Sequence, residues 1–390
     1  MDFNTPQFYD LVSRAFNGDA TSRRLQTFVD STMSLKYNGL KLDGFPFDPD
    51  MQLDYTYEQI QKELGITPMA SYYDVDSPAI PKAEQEISLA TGRIPRMKEV
   101  MYFNEDKVRK QLILEKMLSD EKIPIQAGQK LFEVVNELIG RHTNSLTYQR
   151  NQMVSAGKLV LNDKNNPDGT LRVTLSANVP LKNRKTLSGD EKFWKDKTYA
   201  QEGAKADPIQ SIIDWLQPIL DKGIKGHIEI NLAYYRRLLR HSKVNQTIGF
   251  SLWPTVSAES ATGAATVLPF SQKTSALEDR LGVKIKTVDS ISSVLTYNTT
   301  SKRMEPTTAP SFNPDVIVFI PDGNVGKVLT VMPISTQDNS ALVSTFYDGR
   351  LMLTVARDAV TKCQGFHTEM TSLVVPNVPQ YFFYLFPNES

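Results

Sequence analysis

Residues 125–157 read IQAGQKLFEVVNELIGRHTNSLTYQRNQMVSAG, and their pattern organises the rest of the chain. Apolar or half-apolar side chains return about every 3.6 residues, which predicts one long amphipathic helix. This stripe consists of Leu131, Val135, Leu138, His142, Leu146, Gln149 or Arg150, and Met153. At 1.5 Å per residue the helix is about 45 Å long. We call it the spine helix, because a helix of this length needs other elements laid along it to cover its stripe.

A β-hairpin is predicted directly after the spine helix, over residues 158–178. Gly157 stands where a left-handed C-terminal helix cap belongs. The turn of the hairpin is predicted at Asn166-Pro167-Asp168-Gly169, since these residue types favour tight turns between strands. We take the spine helix and this hairpin as the organising unit of the chain.

The segments far upstream of the spine helix show mixed helical and extended patterns. Helices are predicted at 5–17 and 21–36, and the Pro- and Asp-rich residues 42–54 predict an extended arm. Thr56 and Gln59 form a capping-box pattern, which predicts a short helix beginning there.

Residues 70–103 predict two strands joined by a Pro-rich turn, and residues 104–120 predict another helix capped by Asn104. The two-stranded segment is polar and densely charged, so it carries no core of its own. Because an isolated two-stranded ribbon is marginal in water, it must lie on its own domain or on a neighbouring molecule.

A polar link at 181–208 is the best internal boundary, and a mixed α/β unit follows it. Asp207-Pro208 and Asn231 are predicted N-terminal caps of two helices, with Pro218 expected to end or kink the first. Residues 245–275 are small, polar and Pro-interrupted, which indicates a loop. Strands are predicted at 227–231, 282–290, 293–297 and 315–323, and again in the aromatic C-terminal tail.

Composition excludes several classes of protein. The chain of 390 residues predicts one large or two linked domains, and its 44 basic and 44 acidic residues leave no overall basic footprint for nucleic acid. The single cysteine, Cys363, excludes an intramolecular disulfide framework and a Cys-rich zinc site, and favours a reducing cytosol. No secretory signal pattern and no run of 18 apolar residues is visible, so we expect no membrane partner.

Candidate metal and nucleophile sites have weak support in the sequence. The four histidines, His142, His227, His241 and His367, show none of the spacings typical of zinc ligands. His142 lies on the apolar stripe, where a hydrogen-bonded core histidine is the favoured interpretation. Cys363 and His367 are four residues apart, which could join a thiolate and a base on a helix, but a lone buried thiol is favoured.

Candidate phosphate and acid–base sites are also better explained as ordinary structure. Gly323-Asn324-Val325-Gly326-Lys327 has glycines too close together for a phosphate-binding loop and is interpreted as a hairpin turn. The cluster of Arg236, Arg237, Arg240, His241 and Lys243 could face phosphate, but a solvated helix face or an intersubunit ion pair is favoured. Asp48 with Asp50, and Asp74 with Asp76, are interpreted as loop charges. The sequence therefore predicts no catalytic, cofactor-binding or metal site.

Four stretches in a fixed order resemble the major capsid proteins of tailed bacteriophages, and most of all their lambda-type coat protein family. They are LTYQRNQMVSAGKLVLND at 146–163, FWKDKTYAQEGAKADPIQSIIDWLQPIL at 193–220 with Trp194 and Asp207-Pro208, LGVKIKTVDS at 281–290, and FNPDVIVFIPDGNVGKV at 312–328. The first is similar to the end of that family's long helix, the second to its Trp-containing link and following helix, and the others to its later strands.

The resemblance implies an α+β protein with the fold named after phage Hong Kong 97. The division that it implies is an N-terminal arm at 1–69, an extended loop at 70–104, a peripheral domain at 105–204, an axial domain at 205–345, and return strands of the peripheral domain at 346–390. The peripheral domain would hold the spine helix and the hairpin at 158–178.

The function implied is that of a major capsid protein without enzyme activity, in the virion. It would self-assemble into hexamers and pentamers of an icosahedral head around double-stranded DNA, in the cytoplasm of the host bacterium. The implied partners are a separate scaffolding protein, since only about 70 residues precede the extended loop, together with a portal, a decoration protein and DNA held by weak, patchy contacts. Two alternatives stay open: an encapsulin-like nanocompartment shell of the same fold, and a cytosolic α/β enzyme with site loops in 227–275.

Overall fold

The structure is a computed structural model of the chain. It describes residues 42–61, 88–103, 123–162, 173–193, 206–288, 291–298, 303–333, 343–346, 349–357 and 364–387. The helices predicted at 5–17, 21–36 and 104–120, the hairpin turn at 166–169, and the residues Asp74, Asp76, Trp194 and Cys363 lie outside these ranges.

Helices and strands are mixed along the chain, which makes this an α+β protein. The helices are α1 Ile123–Ala156, α2 Pro208–Leu220, α3 Leu232–Leu238, α4 Ser242–Leu252, α5 Ala258–Thr266 and α6 Phe270–Leu281. The first eight strands are β1 Thr56–Gln61, β2 Ser88–Arg93, β3 Arg96–Phe103, β4 Lys158–Leu161, β5 Val173–Ser176, β6 Arg184–Thr186, β7 Gly226–Asn231 and β8 Lys284–Val288. The others are β9 Ile291–Asn298, β10 Arg303–Pro310, β11 Ile317–Pro321, β12 Gly326–Val331, β13 Val343–Phe346, β14 Leu351–Arg357, β15 Gln364–Pro376 and β16 Phe383–Phe386.

The predicted spine helix is α1, which begins two residues earlier and ends one residue earlier than the sequence pattern indicated. Gly157 ends it in the left-handed conformation (φ 68°). A Cβ atom there would lie 3.0 Å from Nη2 of Arg184, so glycine suits this position for two reasons. The chain then enters the predicted hairpin, in which β4 and β5 pair antiparallel.

The long strand β15 is the axis of an antiparallel sheet of five strands, which we call the long sheet. Its first half pairs with β3 and β14, and its second half pairs with β12. Side chains alternate across β15: Val374 belongs to the core cluster that includes α1, whereas Leu373 and Val375 belong to a cluster with the β4–β5 hairpin. The long sheet is therefore covered by the spine helix on one face and by the hairpin on the other.

A second, mixed sheet has the strand order β6-β16-β11-β7-β8, with parallel pairs at β6–β16 and β7–β8. Its strand β11 reads IVFIP, and its apolar side chains point alternately to two cores. Val318 and Ile320 belong to the core of the spine helix, and Ile317 and Phe319 to a core formed with α2 to α6. Because β11 is buried on both faces, its sequence is a continuous apolar run without alternation.

We call the mixed α/β unit that follows the polar link the second unit, and its helices confirm two predicted caps. The Asp207 side chain accepts from the backbone N–H groups of residues 209 and 210, and Asn231 accepts from those of residues 233 and 234. Pro218, which was expected to end or kink α2, does not end it, because the helix continues to Leu220. The prediction of a loop at 245–275 is wrong, because α4, α5 and the start of α6 lie there.

The short helix predicted from Thr56 is also wrong. Residues 56–61 form β1, which pairs antiparallel with β2 from Thr56↔Arg93 to Gln61↔Ser88. Tertiary strand pairing overrides the local capping pattern here. The Tyr57 side chain is buried against Gly92, and a Cβ atom on Gly92 would lie 2.7 Å from the tyrosine ring. Before β1, residues 42–54 run beside β12 as the predicted extended arm: Asp48 N donates to Val328 O, and Gln52 N to Thr330 O.

Two interpretations of glycine and histidine motifs are corrected. Gly323 (φ 97°) lies between β11 and β12, which belong to different sheets, so this turn joins two sheets and closes no hairpin. His367 lies within β15, opposite Val100 of β3, so the helical spacing considered for Cys363 and His367 does not apply.

Candidate assembly frame: the spine helix and the ribbons at its ends

The apolar stripe of the spine helix is buried along the whole part whose side chains the structure describes. Val135, Leu138, Leu146 and Met153 have at most 1% of their surface exposed. They pack on the long sheet and the hairpin, as the sequence predicted. The polar members of the stripe are buried as well, and each of them has a defined partner.

His142 is a hydrogen-bonded core histidine, as predicted. It is 1% exposed, and its Nε2 lies 2.9 Å from Oγ1 of Thr368 in β15. Burial, followed by the charges of His367 and Arg141, lowers the pKa of His142 to about 4. The imidazole is therefore neutral at pH 7 and serves packing, with no ligand role.

Gln149 completes the hydrogen bonding of β15. Its Nε2 donates to Ser372 O at 3.3 Å, and its Oε1 accepts from Val374 N at 3.1 Å. Backbone groups of residues two apart on a strand point to the same side, so one side-chain amide replaces a short piece of neighbouring strand. Gln149 thus fixes the height at which the spine helix sits on the long sheet.

Arg150 joins the spine helix to the second sheet. Its Nη1 donates to Oε2 of Glu229 in β7 at 2.6 Å, and its Nη2 donates to Oε1, which makes the pair bidentate. The two side chains are 3% and 2% exposed. Burial alone would raise the pKa of Glu229, but the charge and hydrogen bonds of Arg150, together with the nearby imidazole of His227, lower it to about 2. This buried ion pair is a polar link between the spine helix and the second sheet.

The next turn of the spine helix holds the base of a second ribbon, formed by β9 and β10, which pair with each other. Asn151 Nδ2 donates to Ser311 Oγ at 3.2 Å, and Gln152 Nε2 donates to Ser311 O at 2.8 Å. Ser155 Oγ accepts from Asn313 N at 2.9 Å. One polar edge of the helix therefore fixes the residues that directly follow β10.

The β1–β2 ribbon is anchored at its base in the same way. Ile94, just after β2, is 2% exposed and packs in the core under the hairpin, and its N–H donates to Tyr55 O. Arg96, which opens β3, forms a bidentate ion pair with Glu369 of β15. Residues 94–103 were predicted as part of an excursion without its own core, but Ile94 lies in the core of this chain and residues 96–103 belong to its long sheet.

The side chains that the sequence suggested for chemistry do not converge. Arg236 is exposed on α3 and Arg240 in the turn after it, whereas His241 is fully buried and caps α4, where its Nδ1 accepts from Lys243 N. Asp48 pairs with Lys327 at 2.5 Å. In the described ranges, no group of three or more His, Cys, Asp or Glu side chains is arranged to hold a metal ion.

A small cavity in the second core is lined by apolar side chains and Tyr235, among them Ile209, Ile230 and Leu277. No helix in the described part of the chain combines the length and hydropathy needed to cross a membrane.

The sequence patterns did not identify the polar side chains that anchor the spine helix to the two sheets. Gln149 and Arg150 were found only as alternative members of the stripe, and Glu229 only as the polar member of a predicted strand. A signal was present in each case, since a polar residue at a position that periodicity buries requires a partner. The identity of that partner is set by tertiary contacts far away in sequence.

Comparison with known proteins agrees with this architecture. The sequence matches the family described as phage major capsid protein E over residues 36–383. No curated protein sequence matches the chain significantly.

Solved structures with similar architecture share little sequence with this chain. A phage-related protein from Bordetella bronchiseptica is 11% identical, with a TM-score of 0.44 over 96% of this chain and 95% of the other. The capsid protein of cyanophage P-SCSP1u is 10% identical, with a TM-score of 0.43 over 88% and 86%. The procapsid of satellite phage P4, solved with its size determination protein, is 10% identical, with a TM-score of 0.43 over 95% of this chain and 100% of the other. Since the family match spans most of the chain, this protein belongs to the phage major capsid protein E family and is a structural component of the bacteriophage head, as the sequence predicted.

Proposed function

We propose that this chain self-assembles into hexamers and pentamers of an icosahedral head that encloses double-stranded DNA. The observation that carries the proposal is the β1–β2 ribbon, taken together with the membership of this chain in a phage capsid family. In the described residues its two strands pair only with each other. A two-stranded ribbon is marginal by itself, so an adjacent subunit is the surface that would cover it.

The anchored base of this ribbon refines the proposed domain boundaries. The extended loop begins at Thr56, where β1 starts, and ends at Arg93, where β2 ends, in place of 70–104. Residues 94–103 join the peripheral domain, which consists of the spine helix, the β4–β5 hairpin and the long sheet. The axial domain consists of α2 to α6 with β7, β8 and β11, so that the two domains share the second sheet.

The remaining partners follow from the same role. We propose a separate scaffolding protein during assembly in the host cytoplasm, a portal at one vertex, a decoration protein on the outside, and no enzymatic activity. The net charge of zero favours weak, patchy contacts with packaged DNA over a continuous basic lining. Membership in a phage capsid family favours the phage head over an encapsulin-like nanocompartment.

The test removes the ribbon and keeps its anchor. Residues 58–91 are replaced by Asn-Gly, which closes the Tyr57↔Gly92 pair as a two-residue hairpin and leaves Ile94 and Arg96 in place. The variant is expected to fold but to elute as unassembled protein. The wild-type chain, expressed with its scaffolding protein, is expected to form megadalton particles that are round in negative stain.

A second, milder variant replaces only residues 62–87 and closes the Gln61↔Ser88 pair. It keeps the fold measurable by circular dichroism if the larger replacement unfolds the chain. Normal shells from a folded ribbon variant would show that the ribbon makes no essential contact between subunits. A wild-type chain that stays monomeric even with scaffolding protein would refute the proposed function itself.

A further inference from the structure

A basic surface lies where the spine helix passes into the β4–β5 hairpin. The described residues 142–162 and 173–188 include five lysine or arginine residues and no aspartate or glutamate, although the whole chain has as many acidic as basic residues. One of the five, Arg150, is buried in its ion pair. The other four are exposed, and we call them the basic patch: Lys158, Lys182, Arg184 and Lys185.

The local backbone brings these four charges together. A Cβ atom on Gly157 would lie 3.0 Å from Nη2 of Arg184, so Lys158, the next residue, is a neighbour of Arg184. Lys182 lies in a single 3-10 turn directly before β6, and Lys185 follows Arg184 within β6. Strand β6 is an edge strand of the second sheet, and all three of its residues are exposed. The sequence at 181–186 therefore presents its charges beside the first residue of β4.

Arg184 is held in a position that leaves hydrogen-bond donors for an anion. Its Nη2 donates to Ala156 O at 3.2 Å, and its guanidinium carbon lies 5.2 Å from the centroid of the Tyr384 ring. The carbonyl end of the spine helix carries partial negative charge, which this guanidinium offsets. Within the described ranges Arg184 forms no other hydrogen bond, so the donors on Nε and Nη1 stay available.

The three lysines of the basic patch have no acidic partner in the part of the chain that the structure describes. Lysines elsewhere on the surface do have one: Lys284 pairs with Glu278, and Lys286 pairs with Asp43. Like charges that lie close together without a counter-charge create a region of positive potential, which attracts a polyanion.

The surface around the basic patch is polar and suits the phosphate backbone of a nucleic acid. Lys158 lies opposite Ser176 on the exposed face of the hairpin, and Thr174 lies on the same face. Hydroxyl groups of this kind share phosphate contacts with lysine and arginine. The core of a protein–protein interface is instead depleted of lysine and rich in aromatic side chains. Of the described residues between 158 and 188, only Leu181 is a large apolar residue that is exposed.

We propose that the basic patch faces the interior of the head and binds the phosphate backbone of packaged double-stranded DNA without reading its sequence. The proposal rests on the function proposed above, in which the shell encloses DNA. A chain with no net charge has no continuous basic lining, so contact with DNA needs a local excess of positive charge such as this one. Four phosphate contacts predict that the logarithm of the binding constant falls with the logarithm of salt concentration at a slope of about −3.6.

Salt-dependent DNA binding tests the basic patch. The full chain, shown to be unassembled by size-exclusion chromatography, is mixed with a fluorescently labelled duplex of about 20 base pairs, and anisotropy is measured between about 50 and 200 mM salt. The patch variant carries Lys158→Gln, Lys182→Gln and Lys185→Gln, and keeps Arg184 because it also caps the spine helix. Its slope is expected to be shallower by about 2.7, equally for two duplexes of unrelated sequence.

A matched control removes the same charge elsewhere on the surface. Lys98, Lys222 and Lys225 are exposed and lie outside the basic patch, and replacing all three with Gln changes the net charge equally. The control is expected to keep the wild-type slope. Circular dichroism is expected to show that both triple variants are folded.

A measurement on assembled heads needs no variant. Lys158 of wild-type heads is expected to react at least several-fold more slowly with an amine-reactive reagent in DNA-filled heads than in empty ones, as followed by peptide mass spectrometry. Lys222 serves as the internal reference, since it is exposed and lies outside the basic patch.

Four outcomes would overturn the proposed DNA contact and leave the capsid function standing. They are a wild-type chain that does not bind the duplex, an equal change of slope in both triple variants, equal reactivity of Lys158 in filled and empty heads, and a patch variant that binds DNA normally but fails to assemble. The last result would assign these lysines to an acidic protein surface. A wild-type chain that forms no particles with its scaffolding protein would instead refute the function on which the proposal rests.

Discussion

The buried ion pair between Arg150 and Glu229 gives the sharpest test of how the two units are joined. Replacing Arg150 with Met removes the charge that compensates a carboxylate only 2% exposed. Breaking a buried pair from one side typically costs about 3–5 kcal/mol, because the remaining charge is left without a partner. The pKa of Glu229 gives a second measure. Its fall from 4.5 to about 2 corresponds to roughly 3 kcal/mol.

The sign of the pH dependence follows from that lowered pKa. A carboxylate with a lower pKa in the folded state stabilises the fold at pH values above its unfolded pKa, and this contribution is lost as pH falls from about 4.5 toward 2. The Glu229→Leu variant should lose this part of the acid sensitivity. The single variant Arg150→Met should be destabilised by about 3–5 kcal/mol at pH 7 in urea unfolding of the unassembled protein.

The decisive comparison is the double variant Arg150→Met with Glu229→Leu. Because it leaves no uncompensated charge, most of the stability is expected to return, with a coupling energy of at least about 2 kcal/mol in the double-mutant cycle. A loss below about 1 kcal/mol for Arg150→Met, or a double variant as unstable as the single one, would refute the reasoning. Either result would mean that this ion pair does not stabilise the junction between the two units.

Two further predictions concern the other polar residues of the spine helix. Since the pKa of His142 is lowered from 6.5 to about 4, its contribution to stability should be full above pH 6.5 and lost as pH falls toward 4. In the His142→Gln variant, whose side chain can still bond to Thr368, the free energy of unfolding measured in urea should depend less on pH across that window. Gln149→Leu leaves Val374 N–H and Ser372 C=O without their partner, so we expect a loss of about 2–4 kcal/mol and faster hydrogen exchange at the Val374 amide; unchanged exchange there would contradict the role assigned to Gln149.

The sequence predicted the parts of the fold that depend on local patterns. The spine helix was found within two residues of its ends because its stripe is long and regular. Asp207 and Asn231 were recognised as caps since a side-chain oxygen before an apolar periodic segment bonds to the next free N–H groups. The apolar run of β11 was assigned as a strand, and the structure explains its lack of alternation, because both of its faces are covered.

The parts that depend on distant contacts could not be predicted from the sequence. The capping pattern at Thr56 and Gln59 favours a helix locally, but β1 pairs with β2 and buries Tyr57 against Gly92. Residues 94–103 looked like a polar excursion because the partner of Arg96 is Glu369, more than 270 positions later in the chain. No local pattern contains information of this kind.

The wrong prediction of a loop at residues 245–275 has a different cause. A surface helix is recognised in sequence by the contrast between an apolar face and a charged face. Helices α4 and α5 lack that contrast, because between Lys243 and Lys273 only Glu259 is charged and the outward positions of α4 include Phe250 and Leu252. The segment also contains many small and polar residues and is interrupted by Pro254 and Pro269, so its sequence pattern is that of a loop even though three helices form there.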